Sequence, residues 1–95
     1  MKALKITGVV QLVETKKDIR LVEHILGCAK GCVETIWTAN ADAVICIDRE
    51  AQQHGKSRND LASLIAGTGI YGTALIFGDG EDDVPARYIE CLMQK

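Results

Sequence analysis

Strand-like segments come in pairs along this chain, and each pair is followed by a helix-like stretch. ALKITGVVQLVE, residues 3–14, reads as two short strands around Gly8, or as one strand bulged there. CVETIWT alternates, with Val33, Thr35 and Trp37 on one side and Glu34 and Ile36 on the other. Turn residues Asn40 and Asp42 then lead into the apolar run AVICID, which predicts a hairpin. IYGTALIFG, residues 70–78, is β-branched, aromatic and apolar and reads as a central strand. The order is ββ-α-ββ-α-β-α. Strands that arrive as hairpins favour an α+β fold over a doubly wound parallel sheet. We therefore expect a small, mostly antiparallel sheet of about five strands with two to three helices, in one compact domain over residues 1–95.

The helical stretches carry their own punctuation. Ile19, Val22, Ile25 and Leu26 share a face, with Leu21 at its margin. Asp18 or Thr15 suits the start of this helix, and Gly27 or Gly31 its end. REAQQHGKS is polar and reads as a loop or a short irregular segment. In SRNDLASLIAG, Ser57 stands three before Asp60, an acidic variation on the capping box, and Leu61, Leu64 and Ile65 share a face. Gly67 stands where a helix C-terminal glycine belongs. Pro85 suits the first position of a last helix, with Ala86, Ile89, Leu92 and Met93 on its buried side.

Composition narrows the function classes. Apolar content of 47% beside 25% charged residues is that of a folded globular chain. No apolar run reaches the roughly 18 residues that a membrane span needs, and MKALKITGVV lacks a continuous apolar export segment, so we expect a cytoplasmic protein. Eleven basic and 13 acidic side chains are mixed along the chain, for a net charge of −2. That balance argues against direct nucleic-acid binding, which needs a basic stripe. The one charge block, DGEDD at residues 79–83, reads as a solvated loop. Cysteines 28, 32, 46 and 91 read as reduced thiols, with Cys46 a small core residue inside AVICI.

AGTGIYGTALIFG contains G-x-G-x-x-G at Gly67, Gly69 and Gly72. A dinucleotide loop needs a strand before the glycines and a helix after them, so that the helix N-terminus faces the pyrophosphate. Here a helix enters and a strand leaves, so the pattern is a helix cap followed by a turn. Gly72 stays of interest, because a glycine in a strand marks a bulge or the close approach of backbone or ligand; Tyr71 and Thr73 flank it.

Other constellations are weaker. His24, Cys28 and Cys32 are spaced for a soft metal, but Gly27 and Gly31 interrupt the helix and no C-x-x-C pair is present. Asp79, Glu81, Asp83 and Glu90 partly match a calcium loop that fails at Val84, where a glycine is required. We expect no metal or other cofactor. His54, beside Lys56 and Ser57, is a lone loop histidine, and no nucleophile, base and oxyanion donors stand in evident relation, so we expect no enzyme. Trp37, the single tryptophan, is either a core anchor or a stacking surface, and in the second case Arg58 would supply a cationic contact to phosphate or carboxylate.

MKALKI, LVEHILGCAKGCVETI, AVICIDRE and especially RNDLASLIAGTGIYGTALIFG together resemble a family of small domains of unknown function, found mainly in phages, prophages and other mobile elements. The shared features are Asn59 shortly before Ala62 in a helix, a G-T-A-L strand at residues 72–75, and the acidic D-G-E loop at residues 79–81. The resemblance spans nearly the whole chain and implies this strand–helix order and a mobile-element setting; it brings no catalytic residue. Within it, we expect a non-enzymatic binding protein acting in counter-defence. It would sequester a nucleotide-type immune signal or block a host defence protein, with Trp37, Arg58, Asn59, Tyr71, Gly72 and Thr73 as candidate ligand contacts. The acidic loop would serve a blocker as an electrostatic lure. The alternatives are a small nucleotide-processing hydrolase and a self-assembling accessory or regulatory domain. A homo-oligomer is expected, because a protomer this small has little room for a deep pocket and its edge strands can pair across a two-fold axis.

Overall fold

A computed structural model describes residues 1–80 and 82–93. Strands β1 (Lys2–Ile6) and β2 (Val10–Glu14) form an antiparallel hairpin in which Ile6 pairs with Val10, so Thr7, Gly8 and Val9 make the turn. The two-strand reading of this segment is the one realised. Helix α1 (Ile19–Leu26) follows, then β3 (Val33–Trp37) and β4 (Ala43–Asp48), paired as the expected hairpin. Helix α2 (Asp60–Ala66), β5 (Ala74–Gly78) and α3 (Ala86–Met93) complete the chain. The five strands make one sheet in the order β2-β1-β5-β4-β3, antiparallel throughout. This is the α+β fold and element order that the hairpin pattern predicts.

β5 lies at the centre, between β1 and β4. Every residue of β4 and β5 is buried, which explains why AVICID and ALIFG read as unbroken apolar runs rather than alternating ones. One face of the sheet carries Leu4, Ile6, Ile45 and Ile76 and is covered by α2 and α3. The other carries Ala3, Val44, Leu75 and Phe77 and is covered by α1. Both faces being covered leaves the outer sides of β2 and β3 as the sheet's edges.

Local signals set the helix ends where backbone groups need partners. The Asp18 carboxylate accepts from the Arg20 amide at 2.8 Å, and Gly27 ends α1 in the left-handed conformation, φ 68°. Gly67 does the same for α2 at φ 74°. The start of α2 differs from the capping-box reading. Asn59, not Ser57, is the cap: its Oδ1 accepts from the Ala62 amide at 3.1 Å, the reach that a cap makes to the third helical residue.

Helix faces were less legible. In α1, Val22 and Leu26 are buried as expected, but Ile19 is exposed because an eight-residue helix cannot cover the sheet to its end. In α2, Leu64 is 78% exposed, while Ala62 and Ser63 are buried. The Ser63 hydroxyl accepts from the Ile70 amide at 2.8 Å and donates to the Asn59 carbonyl at 2.7 Å, which places Ser63 inward; Leu61 and Ile65 of the expected face still pack against the core, and only Leu64 faces out. In α3, Tyr88 takes the inner position with Ile89 and Leu92 beside it, whereas Ala86 and Met93 face outward. The strand expected over residues 70–78 begins only at Ala74, because Gly72 adopts φ +75°, outside the extended region.

Tyr88 and Arg87 also explain how α3 is held. The Tyr88 hydroxyl donates to Asp42 Oδ1 at 2.7 Å, the Thr38 hydroxyl donates to the same oxygen at 2.9 Å, and Arg87 pairs with Asp42 Oδ2. Burial pushes the Asp42 carboxyl up, but these two hydrogen bonds and the Arg87 charge outweigh it and hold it below the ordinary range. A carboxyl depressed in the folded state contributes stability that is full above its unfolded pKa, about 3.9, and is lost as pH falls through the folded value. We expect the urea midpoint to fall between pH 7 and pH 3 by more in the wild type than in Asp42→Asn. Equal losses would mean that other carboxylates carry the acid sensitivity.

Candidate functional site

Residues 57–59 run antiparallel to residues 70–72 across one end of the sheet. The Asn59 amide donates to the Ile70 carbonyl at 2.7 Å, the Gly72 amide to the Ser57 carbonyl at 2.9 Å, and Arg58 bridges Tyr71 between them. Asn59 ties this ribbon to its surroundings. Its Nδ2 donates to the Ile6 carbonyl at 3.0 Å and to the Gly72 carbonyl at 2.9 Å, while its Oδ1 caps α2. The buried side chain thus joins β1, the approach to β5 and α2.

A cleft of about 700 Å³ opens against this ribbon, lined by the β1–β2 turn at residues 7–10, by residues 55–61 and by Gly72 and Thr73. Gly72 permits the close packing beneath it: a Cβ there would stand 3.0 Å from Lys56 Cδ and 3.3 Å from Ala51 Cβ. Val9, Val10 and Leu61 supply apolar lining, and Thr7, Ser57 and Thr73 supply hydroxyls.

The two cations of the lining differ. Lys56 Nζ stands 3.2 Å from Asp48 Oδ2, and that carboxylate is only 4% exposed, with its other oxygen accepting from the Glu50 amide at 2.9 Å. Lys56 is therefore committed to neutralising a buried charge. Arg58 Nε stands 3.4 Å from Asp60 Oδ1, but both side chains are largely solvent-exposed, so the pair is weak. Arg58 is the charge that a ligand can recruit. Beside it, the Arg58 Nη1 and Tyr71 Cε1 atoms converge over Gly69, within 3.5 and 3.7 Å of where a Cβ would be. A second, shallower groove of about 430 Å³ on that side is lined by Arg58, Asp60, Ser63, Leu64 and residues 67–69.

Of the six residues expected to contact a ligand, Arg58, Asn59, Gly72 and Thr73 line the cleft. Tyr71 adjoins it through its bridge to Arg58. Asn59 has both amide protons and a carbonyl lone pair engaged inside the protein, so its place at the cleft is as a fastening. Trp37 stands apart. It pairs with Val44, which pairs with Phe77, placing it at the opposite end of the strands from Ala74 and on the outermost strand. At 53% exposure it is not a core anchor either.

The β1–β2 turn and Lys56 were not foreseen as lining. Only the sheet order brings residues 7–10 beside residues 55–61, though the glycine-flanked HGKSRN segment is a local sign of a tight, polar cleft wall.

His54 lies on an exposed turn, with its amide donating to Glu50, and is not among the cleft residues. Among the described residues, no three His, Cys, Asp or Glu side chains are grouped to hold a metal ion, and the four cysteines are free. Burial pushes the Cys46 thiol up, and burial followed by the Asp48 and Glu23 charges does the same for Cys28. Cys32 is raised first by its hydrogen bond to Glu50 and then by burial. In all three the thiolate, the nucleophilic form, is disfavoured.

The acidic loop is docked on β1 through a carboxylate and a backbone amide: the Lys2 amide donates to Asp83 Oδ1 at 2.7 Å, and Val84 returns its amide to the Lys2 carbonyl at 2.8 Å. Glu81, part of both the calcium-loop pattern and the D-G-E feature, lies outside the described residues. No helix among the described residues is long and apolar enough to cross a membrane. Compared with family models, curated proteins and solved structures, the chain matches none.

Proposed function

We propose that this chain is a non-enzymatic binding module whose cleft takes a small anionic ligand of nucleotide type. The observation that carries the reading is the convergence of Arg58, Ser57 and Thr73 on a cleft of about 700 Å³, a volume within the roughly 300–1,000 Å³ of small-molecule sites. Arg58 supplies the planar, permanently charged donor that suits phosphate. Hydroxyls of Thr7, Ser57 and Thr73 supply further polar contacts, and Val9, Val10 and Leu61 give a sugar or base an apolar surface. Lys56, the one amine in the lining that a hydrolytic mechanism would use as base, is engaged with Asp48. With Lys56 so engaged, the exposed Asp60 carboxylate is the remaining charged proton acceptor of the lining, and we read the cleft as one that retains its ligand.

The resemblance of RNDLASLIAGTGIYGTALIFG to mobile-element domains supports a counter-defence role, in which the bound nucleotide is an immune signal withheld from its receptor. The test is thermal stability of the protein with cyclic nucleotides and ADP-ribose derivatives, followed by mass spectrometry of each ligand. A ligand at a hundred times its Kd stabilises by about 2.7 kcal/mol. We expect one of these anions to raise the melting temperature, to be recovered intact, and to bind at least about tenfold more weakly to Arg58→Ala, a loss of about 1.4 kcal/mol. The unliganded variant should melt near the wild type, since an exposed ion pair contributes little. A consumed ligand would make the protein the nucleotide-processing hydrolase instead, and no shift with any anion would remove the cleft from its function.

A further inference from the structure

The outer side of β3 is an unpaired hydrogen-bonding edge of the sheet. The Thr38 amide donates to the Ala43 carbonyl at 3.0 Å, and the Arg49 amide to the Cys32 carbonyl at 2.8 Å. Within the β3–β4 register, these bonds assign the even-numbered residues of β3 to the ladder with β4. Val33, Thr35 and Trp37 therefore direct their N–H and C=O groups away from the sheet, and among the described residues nothing in the chain bonds them. VETIW has no proline, no lysine and an unbroken register, and Glu34 is its one charged residue. Four of its five residues, Val33, Thr35, Ile36 and Trp37, are β-branched or aromatic and suit a paired strand.

We propose that β3 is a dimer seam that pairs antiparallel with β3 of a second copy about a two-fold axis through Thr35. That register satisfies the edge on its own terms. Val33 faces Trp37 of the second copy, Thr35 faces its counterpart, and Trp37 faces Val33, so all three outward residues become hydrogen-bonded pairs. Trp37 opposite Val33 is an aromatic–β-branched pair on the α1 side, and on the other face Glu34 stands directly opposite Ile36, with the two Glu34 side chains diagonal to each other across the axis. The half-exposed tryptophan, apart from the cleft, thereby gains a partner. β2 is the other edge; there Val10 lines the cleft and the Glu14 carboxylate receives the chain's amino terminus at 3.4 Å, so side chains at both its ends have partners within the chain. The resulting ten-stranded sheet closes as a dimer, with the two clefts at opposite ends because the partner's strands run in reverse. The inference is independent of what the cleft binds.

Thr35→Pro tests it cleanly. The amide it removes points outward, so the internal ladder is untouched, and proline is compatible with an edge strand. Sedimentation of the full chain should give twice the monomer mass of 10.3 kDa for the wild type at high concentration and the monomer mass for Thr35→Pro, with the same circular dichroism. Trp37, the sole tryptophan, reports on the seam itself. Its emission should shift to longer wavelength as the wild type is diluted, and should stay at the long-wavelength position in the variant at every concentration. Should Thr35→Pro fold poorly, Thr35→Lys places two like charges at the axis and should also give monomer. A wild type that remains monomeric at the highest concentration overturns the proposal. So does a dimer that survives both substitutions, or one that Leu12→Pro in β2 dissociates instead.

Discussion

Asn59→Ala is expected to destabilise the protein by about 3–5 kcal/mol, the largest effect of any single polar truncation in the fold. Losing the cap on the Ala62 amide accounts for about 1 kcal/mol. The rest comes from the Ile6 carbonyl, which loses a buried donor, and the Gly72 carbonyl, which loses a partly buried one, at about 1–2 kcal/mol apiece. Against a total stability of roughly 5–15 kcal/mol, such a loss brings the variant close to unfolding at ordinary temperature. Asn59→Asp separates the two contributions, because a carboxylate keeps the cap but has no proton for either carbonyl. Urea denaturation should therefore show Asn59→Asp to be nearly as damaging as alanine. If aspartate restores most of the stability, the cross-links to β1 and Gly72 contribute little and Asn59 is an ordinary cap. The cleft is implicated as well, since the same two bonds hold residues 7–10 in register with residues 55–61.

What could be read in the sequence divides along a physical line. Features decided within a few residues were legible: the caps at Asp18, Gly27 and Gly67, the hairpin turn at residues 39–42, and the hairpin order that fixes an α+β sheet. Features decided by contacts between distant segments were not. Leu61, Leu64 and Ile65 share a face by spacing, and Leu61 and Ile65 do pack on the core, but Leu64 does not, because Ser63, bonded to Ile70, takes the inner position beside it. The Asn59 amide had a recognisable place before α2, yet its bonds to Ile6 and Gly72 depend on where β1 and β5 lie. Trp37 was open between core and surface. The sheet order settles it, because β3 is the outermost strand and α1 is only eight residues long. Arg58, Gly72 and Thr73 were each singled out by residue type, but their meeting depends on α2 and its Gly67 cap folding residues 57–59 back against 70–72. Their partners across the cleft, residues 7–10, are adjacent only after the sheet has formed.

The second large effect is expected at Gly78, the last residue of β5. A Cβ at this position would overlap the Asp83 carbonyl and stand 2.7 Å from the Asp82 carbonyl. Both obstacles are backbone, so no rotamer change relieves them; the acidic loop must lift away. Lifting it removes the bonds between Lys2 and the Asp83–Val84 segment, and the contacts that Lys17 Nζ makes to the Gly78 carbonyl at 3.3 Å and the Gly80 carbonyl at 2.6 Å. It also draws Val84, 3% exposed, out of the core face on which α3 rests. Overpacking of this kind costs about 1–3 kcal/mol by itself. With the Val84–Lys2 backbone bond, the exposed bond from Lys2 to the Asp83 carboxylate and part of a valine added, Gly78→Ala should lose about 3–4 kcal/mol. The loss should be local before it is global. Hydrogen exchange is expected to accelerate at Lys2, Val84 and the first turn of α3, while β4 and the hairpin of β1 and β2 beyond Lys2 keep their protection. Uniform acceleration across the sheet would show that the loop is part of one cooperative unit with β5, and unchanged exchange at Val84 would show that the loop does not close on Gly78 at all.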